Sequence, residues 1–372
     1  MDRGAFGRIG RTRVTRLLIV DDSPLMRKLL VEIFTECGEF DVQVARSADE
    51  ALAQIQIFQP DVITLDIQMP GMDGLACLDR IMIERPTPVV MVSSLTEEGA
   101  DETLDALNLG AVDFVAKPRG PVSLEIDRIA AALVDKVREA SRVRISRAVR
   151  LRDRVRLRSL GALAEASPKA QGRRKRKDAP LEDIAAVVVG VSTGGPPALD
   201  ALLGPLPADF PWPILIAQHM PASFTGPLAR RLDRACAMTV VEVARPMHLE
   251  PGHVYIGRGD ADMILSRRRN GPVAMPAPAD PALWHPSTDR LATSAIEILG
   301  AARLVGVLMT GMGADGAEAM ARIRSEGGHV IAQDMDSSVV WGMPGALVAL
   351  DGADHVLPLG EIAARLIDWS RP

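Results

Sequence analysis

Two stretches of this chain alternate short apolar runs with amphipathic segments, and that alternation constrains the fold more than any other feature. From residue 17 to about 118, "LLIVD", "VQVA", "VITLD", "PVVMVSS" and "VDFVAK" read as buried strands. Between them, "PLMRKLLVEIFTEC", "SADEALAQIQIF", "GLACLDRIMIER" and "GADETLDALNLG" carry apolar residues at helical spacing. From Ile184 the pattern resumes, with "AAVVVGV", "PILIAQ", "RLVGVLMTG" and "HVIAQD" as strands and "SFTGPLARRLD", "LATSAIEIL" and "AEAMARIRSEG" as helices. Strands that are apolar throughout need cover on both faces, and helical crossovers between parallel strands supply it. The expected fold is α/β, in two doubly wound domains with parallel or mostly parallel sheets. The segment "PGHVYIGRGDADMILSRRR" reads instead as antiparallel β structure.

Between the two stretches the pattern dissolves into charge. Residues 138–177 hold 15 Lys or Arg against 3 Asp or Glu, an excess of 12 positive charges in a chain of net charge −5. The remainder therefore carries −17, which describes a basic connector between two acidic bodies. Arg150, Arg152, Arg154, Arg156 and Arg158 fall at every second position, which on a helix spreads charge all round. The expected organisation is a basic leader at 1–16, a domain at 17–137, a basic linker at 138–183 and a second domain at 184–372.

Composition excludes several classes. Cys37, Cys77 and Cys236 are odd in number, scattered and without metal-ligand spacing, which fits a reducing compartment. No apolar run of signal-peptide type follows the N-terminus and none is long enough to span a bilayer, so a cytoplasmic protein without membrane insertion is expected. Aromatic residues make up only 3%, too few for a stacking platform, and no nucleic-acid partner is expected.

In a parallel sheet the strand ends carry the chemistry. Asp21 and Asp22 end the first strand, Asp66 the third, Ser93 and Ser94 the fourth, and Lys117 the fifth. Three carboxylates crowded on one edge repel one another unless a hard divalent cation joins them. A carboxylate beside such a cation and a lysine can attack a phosphoryl donor. Acidic residues at strand ends also cap helices, and Asp22 alone would be read that way, but the set in this order is not explained by capping. "LLIVDDSPLMRKLL", "DVITLDIQMPGMDGL", "PVVMVSSLT" and "VDFVAKP" resemble the receiver domain of response regulators, a flavodoxin-like parallel sheet. The resemblance implies Asp66 as phosphoacceptor, and Mg²⁺ held by Asp21, Asp22, Asp66 and the Gln68 carbonyl. It implies Ser93, Phe114 and Lys117 as switch residues, and a cis Lys117–Pro118 bond.

In the second stretch, Gly190-Val191-Ser192-Thr193-Gly194 fits a nucleophile turn, a phosphate loop or a plain tight turn. Pro196 and Pro197 suit a helix start, so Ser192 lies on a strand-to-helix turn. No lysine follows Gly195 as a Walker loop requires. A nucleophilic serine needs a base and an orienting acid. His219 directly follows the strand "PILIAQ", and Asp315 lies in the glycine-rich stretch after "RLVGVLM". Each alone has a plainer reading, as a turn serine, a structural histidine and a glycine-loop aspartate; the set of three shifts the balance. Their order, Ser then His then Asp, differs from that of an α/β-hydrolase.

"GVSTGGP", "AQHMP" and "TGMGADGA" behind a receiver resemble the chemotaxis protein-glutamate methylesterases. The resemblance implies Ser192 as nucleophile, His219 as general base, Asp315 as orienting acid, the Met312 amide in the oxyanion hole and Thr193 lining the site. It further implies hydrolysis of glutamate methyl esters and deamidation of glutamines on methyl-accepting chemoreceptors. A chemotaxis histidine kinase would be the phosphodonor, and the ester chemistry would need no cofactor. Thr288, Ala292 and Ala314 depart from the family pattern, with an expected effect on receptor selectivity. The alternative is a DNA-binding or scaffold response regulator without hydrolase activity, suggested by the basic stretch.

Overall fold

A computed structural model describes residues 14–93, 97–117, 125–143, 181, 183–280 and 284–371. The first domain alternates β1 (Thr15–Val20), α1 (Pro24–Glu36), β2 (Phe40–Ala45), α2 (Ala48–Phe58), β3 (Val62–Asp66), α3 (Gly74–Glu84), β4 (Val89–Ser93), α4 (Glu97–Leu109), β5 (Asp113–Ala116) and α5 (Glu125–Arg142). The five strands form one sheet in the order β2-β1-β3-β4-β5, with every pair parallel. β3 and β4 are buried at every residue, which explains their uninterrupted apolar runs. Helix α5 continues to Arg142, past the boundary expected at 137. The leader up to residue 13 and nearly all of the expected basic linker lie outside the described residues, as does the Lys117–Pro118 bond.

The second domain begins with β6 (Ala186–Val191), α6 (Gly195–Leu203), β7 (Ile214–Gln218), α7 (Ala222–Ala235), β8 (Thr239–Val243), β9 (Met247–His248), β10 (His253–Gly257), β11 (Ala261–Arg268) and β12 (Gly271–Pro278). It continues through α8 (Thr288–Leu299), β13 (Leu304–Leu308), α9 (Ala317–Ser325), β14 (His329–Gln333), α10 (Met343–Ala349), β15 (His355–Leu357) and α11 (Leu359–Ser370). Seven strands make an entirely parallel sheet in the order β15-β14-β13-β6-β7-β10-β8. The expectation of antiparallel structure from Pro251 to Arg269 is corrected in its first part: β10 joins the parallel sheet, between β7 and β8. β11 and β12 do pair antiparallel, with β9 as third strand. β10 carries Val254, Tyr255 and Ile256, all buried, where a partly exposed hairpin strand would alternate.

The strand order reverses at β6: the chain runs outward through β7 to edge strand β8, inserts β10 between them, and then returns to the other side of β6 with β13. In open parallel sheets the crevice at such a switch point, at the carboxyl ends of the strands, is where ligands bind. Helix α4 of the first domain packs on α6 and α7 of the second, which brings the β5 edge of the first domain over this crevice.

Candidate functional site

Ser192 follows β6 and His219 follows β7, and the two strands are paired through Val191 and Gln218. The His219 amide donates to Val191 O at 3.1 Å, so backbone pairing sets the two catalytic candidates side by side. Ser192 is held from beneath: its amide donates to Thr310 O (2.9 Å), and its carbonyl accepts from Gln218 Nε2 (3.1 Å) and from the Gly195 amide (2.8 Å). A Cβ on Gly195 would stand 1.9 Å from Gln218 Oε1, so only glycine lets that amide reach the turn. Gln218 was not singled out in the sequence; its place one residue before His219 was the available signal.

Asp315 lies between β13 and α9. Its Oδ2 stands 2.7 Å from His219 Nε2. The same oxygen accepts the Thr288 amide (2.6 Å), while Oδ1 accepts the Ser287 hydroxyl (3.0 Å) and the Asp289 amide (3.1 Å). Burial alone would raise its pKa, but the His219 hydrogen bond and charge, with the Thr288 and Asp289 amides, hold it at about 2. A carboxylate with so low a pKa only accepts, so Nε2 of the imidazole carries the proton. His219 Nδ1 is buried and without a partner among the described residues. Trp284 stacks on the His219 ring at 6.1 Å between centroids and 11° between planes.

Met312 lies in the loop from β13 to α9, and the residue before it, Gly311, abuts Ser192: a Cβ on Gly311 would stand 2.7 Å from Ser192 Cβ. The Thr193 side chain turns toward the first domain. Its hydroxyl donates to Asp113 Oδ2 at 2.5 Å, while Asp113 Oδ1 is paired with Lys136 at 2.9 Å. Phe114, the expected switch aromatic, packs on Phe224 with centroids 4.3 Å apart, and Arg231 reaches Asn108 at 3.1 Å. Sequence reasoning missed Asp113, which reads there only as the polar start of a strand. Thr288 and Ala292 are fully buried. The Thr288 side chain packs where a Cβ on Gly190 or Gly316 would stand, so it belongs to the packing around the site.

On the first sheet, side-chain oxygens of Asp21, Asp22 and Asp66 lie within 4.8 Å of one another. Lys117 Nζ stands 3.0 Å from Asp21 Oδ2 and 2.7 Å from Asp66 Oδ2. Three converging carboxylates form the hard-oxygen donor set that suits Mg²⁺, so the residues fit the ion. Burial pushes the Asp66 carboxyl up against the pull of Lys117. The cap of α1 is Ser23, not Asp22, which leaves Asp22 exposed at the cluster. The Gln68 amide donates to Asp66 Oδ1 at 3.3 Å, and the Ser93 hydroxyl donates to Gly99 O at 3.2 Å.

No helix among the described residues is long and apolar enough to cross a membrane. The response regulator receiver domain family matches residues 17–127, and the CheB methylesterase family matches residues 187–366. A protein-glutamate methylesterase/protein-glutamine glutaminase of Rhodopseudomonas palustris is 54% identical over 359 residues, covering 95% of this chain and 98% of its own length. A protein of the same name from Rhodospirillum rubrum is 52% identical, covering 96% of each chain. Another from Vibrio cholerae is 43% identical over 90% of each. Nothing in these matches supports a DNA-binding or scaffold protein. The chain belongs to the protein-glutamate methylesterase/protein-glutamine glutaminase family, with a response regulator receiver joined to a CheB methylesterase domain.

Proposed function

We propose that the chain hydrolyses glutamate methyl esters on methyl-accepting chemoreceptors, releasing methanol, and deamidates selected receptor glutamines, under control of phosphorylation at Asp66. The observation that carries this reading is the pairing of a buried His219 with a half-buried Asp315, beside Ser192 at a sheet switch point. Ser192 Oγ attacks the ester carbonyl carbon while His219 Nδ1 takes its proton. The Met312 amide donates to the oxyanion, with Thr193 lining the site. His219 then protonates the departing methoxide, and an acyl ester on Ser192 remains. Water, deprotonated by His219, cleaves that ester, releases the glutamate and restores the serine. With a glutamine substrate the same acyl-enzyme forms and ammonia leaves. The chemistry uses only protein groups.

The receiver would hold Mg²⁺ on Asp21, Asp22, Asp66 and the Gln68 carbonyl, where it would neutralise charge on an incoming phosphoryl group. A chemotaxis histidine kinase is the phosphodonor, with Lys117, Ser93 and Phe114 responding to the new charge. The domains are a leader before β1, a receiver from Thr15 to the end of α5 at Arg142, a linker from there to residue 183 and a catalytic domain at 184–372, and the protein works in the cytoplasm. The Asp113–Thr193 bond and the Phe114–Phe224 contact support a receiver that restrains the site until Asp66 is phosphorylated.

The test is incubation of the full chain with methylated receptors and measurement of methanol. Ser192→Ala is expected to lower turnover by roughly three or more orders of magnitude. A loss of only a few-fold would reduce Ser192 to a turn residue.

A further inference from the structure

The loop preceding α9 supplies Asp315, and the first turn of α8 supplies the amides that hold it. The reverse also occurs: the carboxylate of Asp289, in the first turn of α8, accepts the Ala319 amide (3.1 Å) in the first turn of α9. The start of α8 thus meets a carboxylate from the loop before α9, and the start of α9 meets one carried by α8. The approach is close enough that a Cβ on Gly316, whose φ is +88°, would stand 2.4 Å from the Thr288 side chain.

We propose that Asp289 is a positioning residue for the catalytic acid, with its carboxyl clamping the start of α9 and its own amide fixing Asp315 against His219. The inference rests on the reading of Ser192, His219 and Asp315 as a triad. Asp315 stands one residue before the α9 cap, so its direction depends on where that helix begins. A helix start leaves amides without intrahelical partners, and Asp289 satisfies that of Ala319 with an acceptor anchored on the neighbouring helix. Its main-chain amide takes one lone pair of Asp315 Oδ1, which keeps Oδ2 turned to His219. Burial and the nearby Asp315 charge push the Asp289 carboxyl up, while Asp315 stays low. Ser287 caps α8 through its hydroxyl and bonds Asp315 with the same oxygen, which ties the clamp to the loop bearing Trp284.

The test compares Asp289→Ala, Asp289→Asn and Asp289→Glu in the full chain. It uses methanol release per folded molecule and the low-field proton resonance of His219 Nε2–H, assigned by its loss in His219→Ala. Asparagine keeps an acceptor for the Ala319 amide, whereas alanine has none. Asp289→Ala is expected to lose roughly 10- to 100-fold in kcat with little change in KM, as for a small misplacement of a catalytic group, and to shift or broaden the resonance. Asp289→Asn is expected to stay within about threefold of wild type and keep the resonance. Asp289→Glu keeps the charge but displaces it by one methylene, and is expected to fall between them even if the alanine variant does not fold. Wild-type kcat and an unchanged resonance in Asp289→Ala or Asp289→Glu would overturn the proposal, as would an asparagine variant as impaired as alanine. If the wild type releases no methanol, the functional reading fails, while the resonance still tests Asp289.

Discussion

Asp315 concentrates the electrostatics of the site in one side chain. Two amides, one hydroxyl and an imidazole leave its oxygens no need of solvent, and its pKa of about 2 lies below the ordinary 3.8. A carboxylate lowered by folding stabilises the native state above its unfolded pKa, and that stabilisation is lost as pH falls through the folded value. The displacement corresponds to about 2 kcal/mol. Asp315→Asn is therefore expected to be less stable than wild type at pH 5 and above, with the gap closing toward pH 2. Urea denaturation at a series of pH values measures it, and a gap that stays constant would mean that ionisation of Asp315 contributes nothing. The residue itself was legible in the sequence because glycines surround it just after an apolar strand. Its partners Ser287, Thr288 and Asp289 were not, since main-chain amides carry no sequence signature.

At the scale of elements, the nucleophile depends on how closely α6 starts behind β6. Gly195 opens that helix, and Gln218 fills the space a side chain would need. Gly195→Ala is expected to displace the Gln218 amide, destabilise the catalytic domain by about 1–3 kcal/mol and lower ester turnover at least tenfold. Phosphorylation of Asp66 should be unaffected. Thermal melts, methanol release and phosphodonor labelling of the same preparation report all three, and unaltered turnover would show that the Gln218 contact is dispensable. Most strands were legible because each is short, apolar and bounded by turn residues. β8, β9, β12 and β15 were not singled out, and β10 reads as antiparallel because two turn segments flank it as they would a hairpin strand; only the fold shows that it slots between β7 and β8.

At the scale of the molecule, a receiver lies against the catalytic crevice through a small set of contacts. Two tilted aromatic rings pack across it, a buried hydroxyl meets a buried carboxylate, and Arg231 bonds Asn108 of α4 while pairing with Asp200. Placing a second guanidinium beside Arg231 should loosen this contact without touching either site. Asn108→Arg is expected to raise methanol release several-fold without a phosphodonor and to leave less for the phosphodonor to add. Asp66→Asn should keep the basal rate and lose the response. An Asn108→Arg rate equal to wild type would argue that this contact does not restrain the site.

The order of apolar and amphipathic segments determined by itself that this chain forms two α/β domains, because strands buried on both faces have few ways to be covered. It also placed Asp21, Asp66, Lys117, Ser192, His219 and Asp315 at strand ends, since in a parallel sheet those ends share one edge. Only the tertiary structure decided which nitrogen of His219 faces the acid, which amides hold Asp315, and that Asp113 reaches Thr193. Those choices depend on distances between segments far apart in the chain. They are set by packing and hydrogen-bond geometry, to which local pattern is blind.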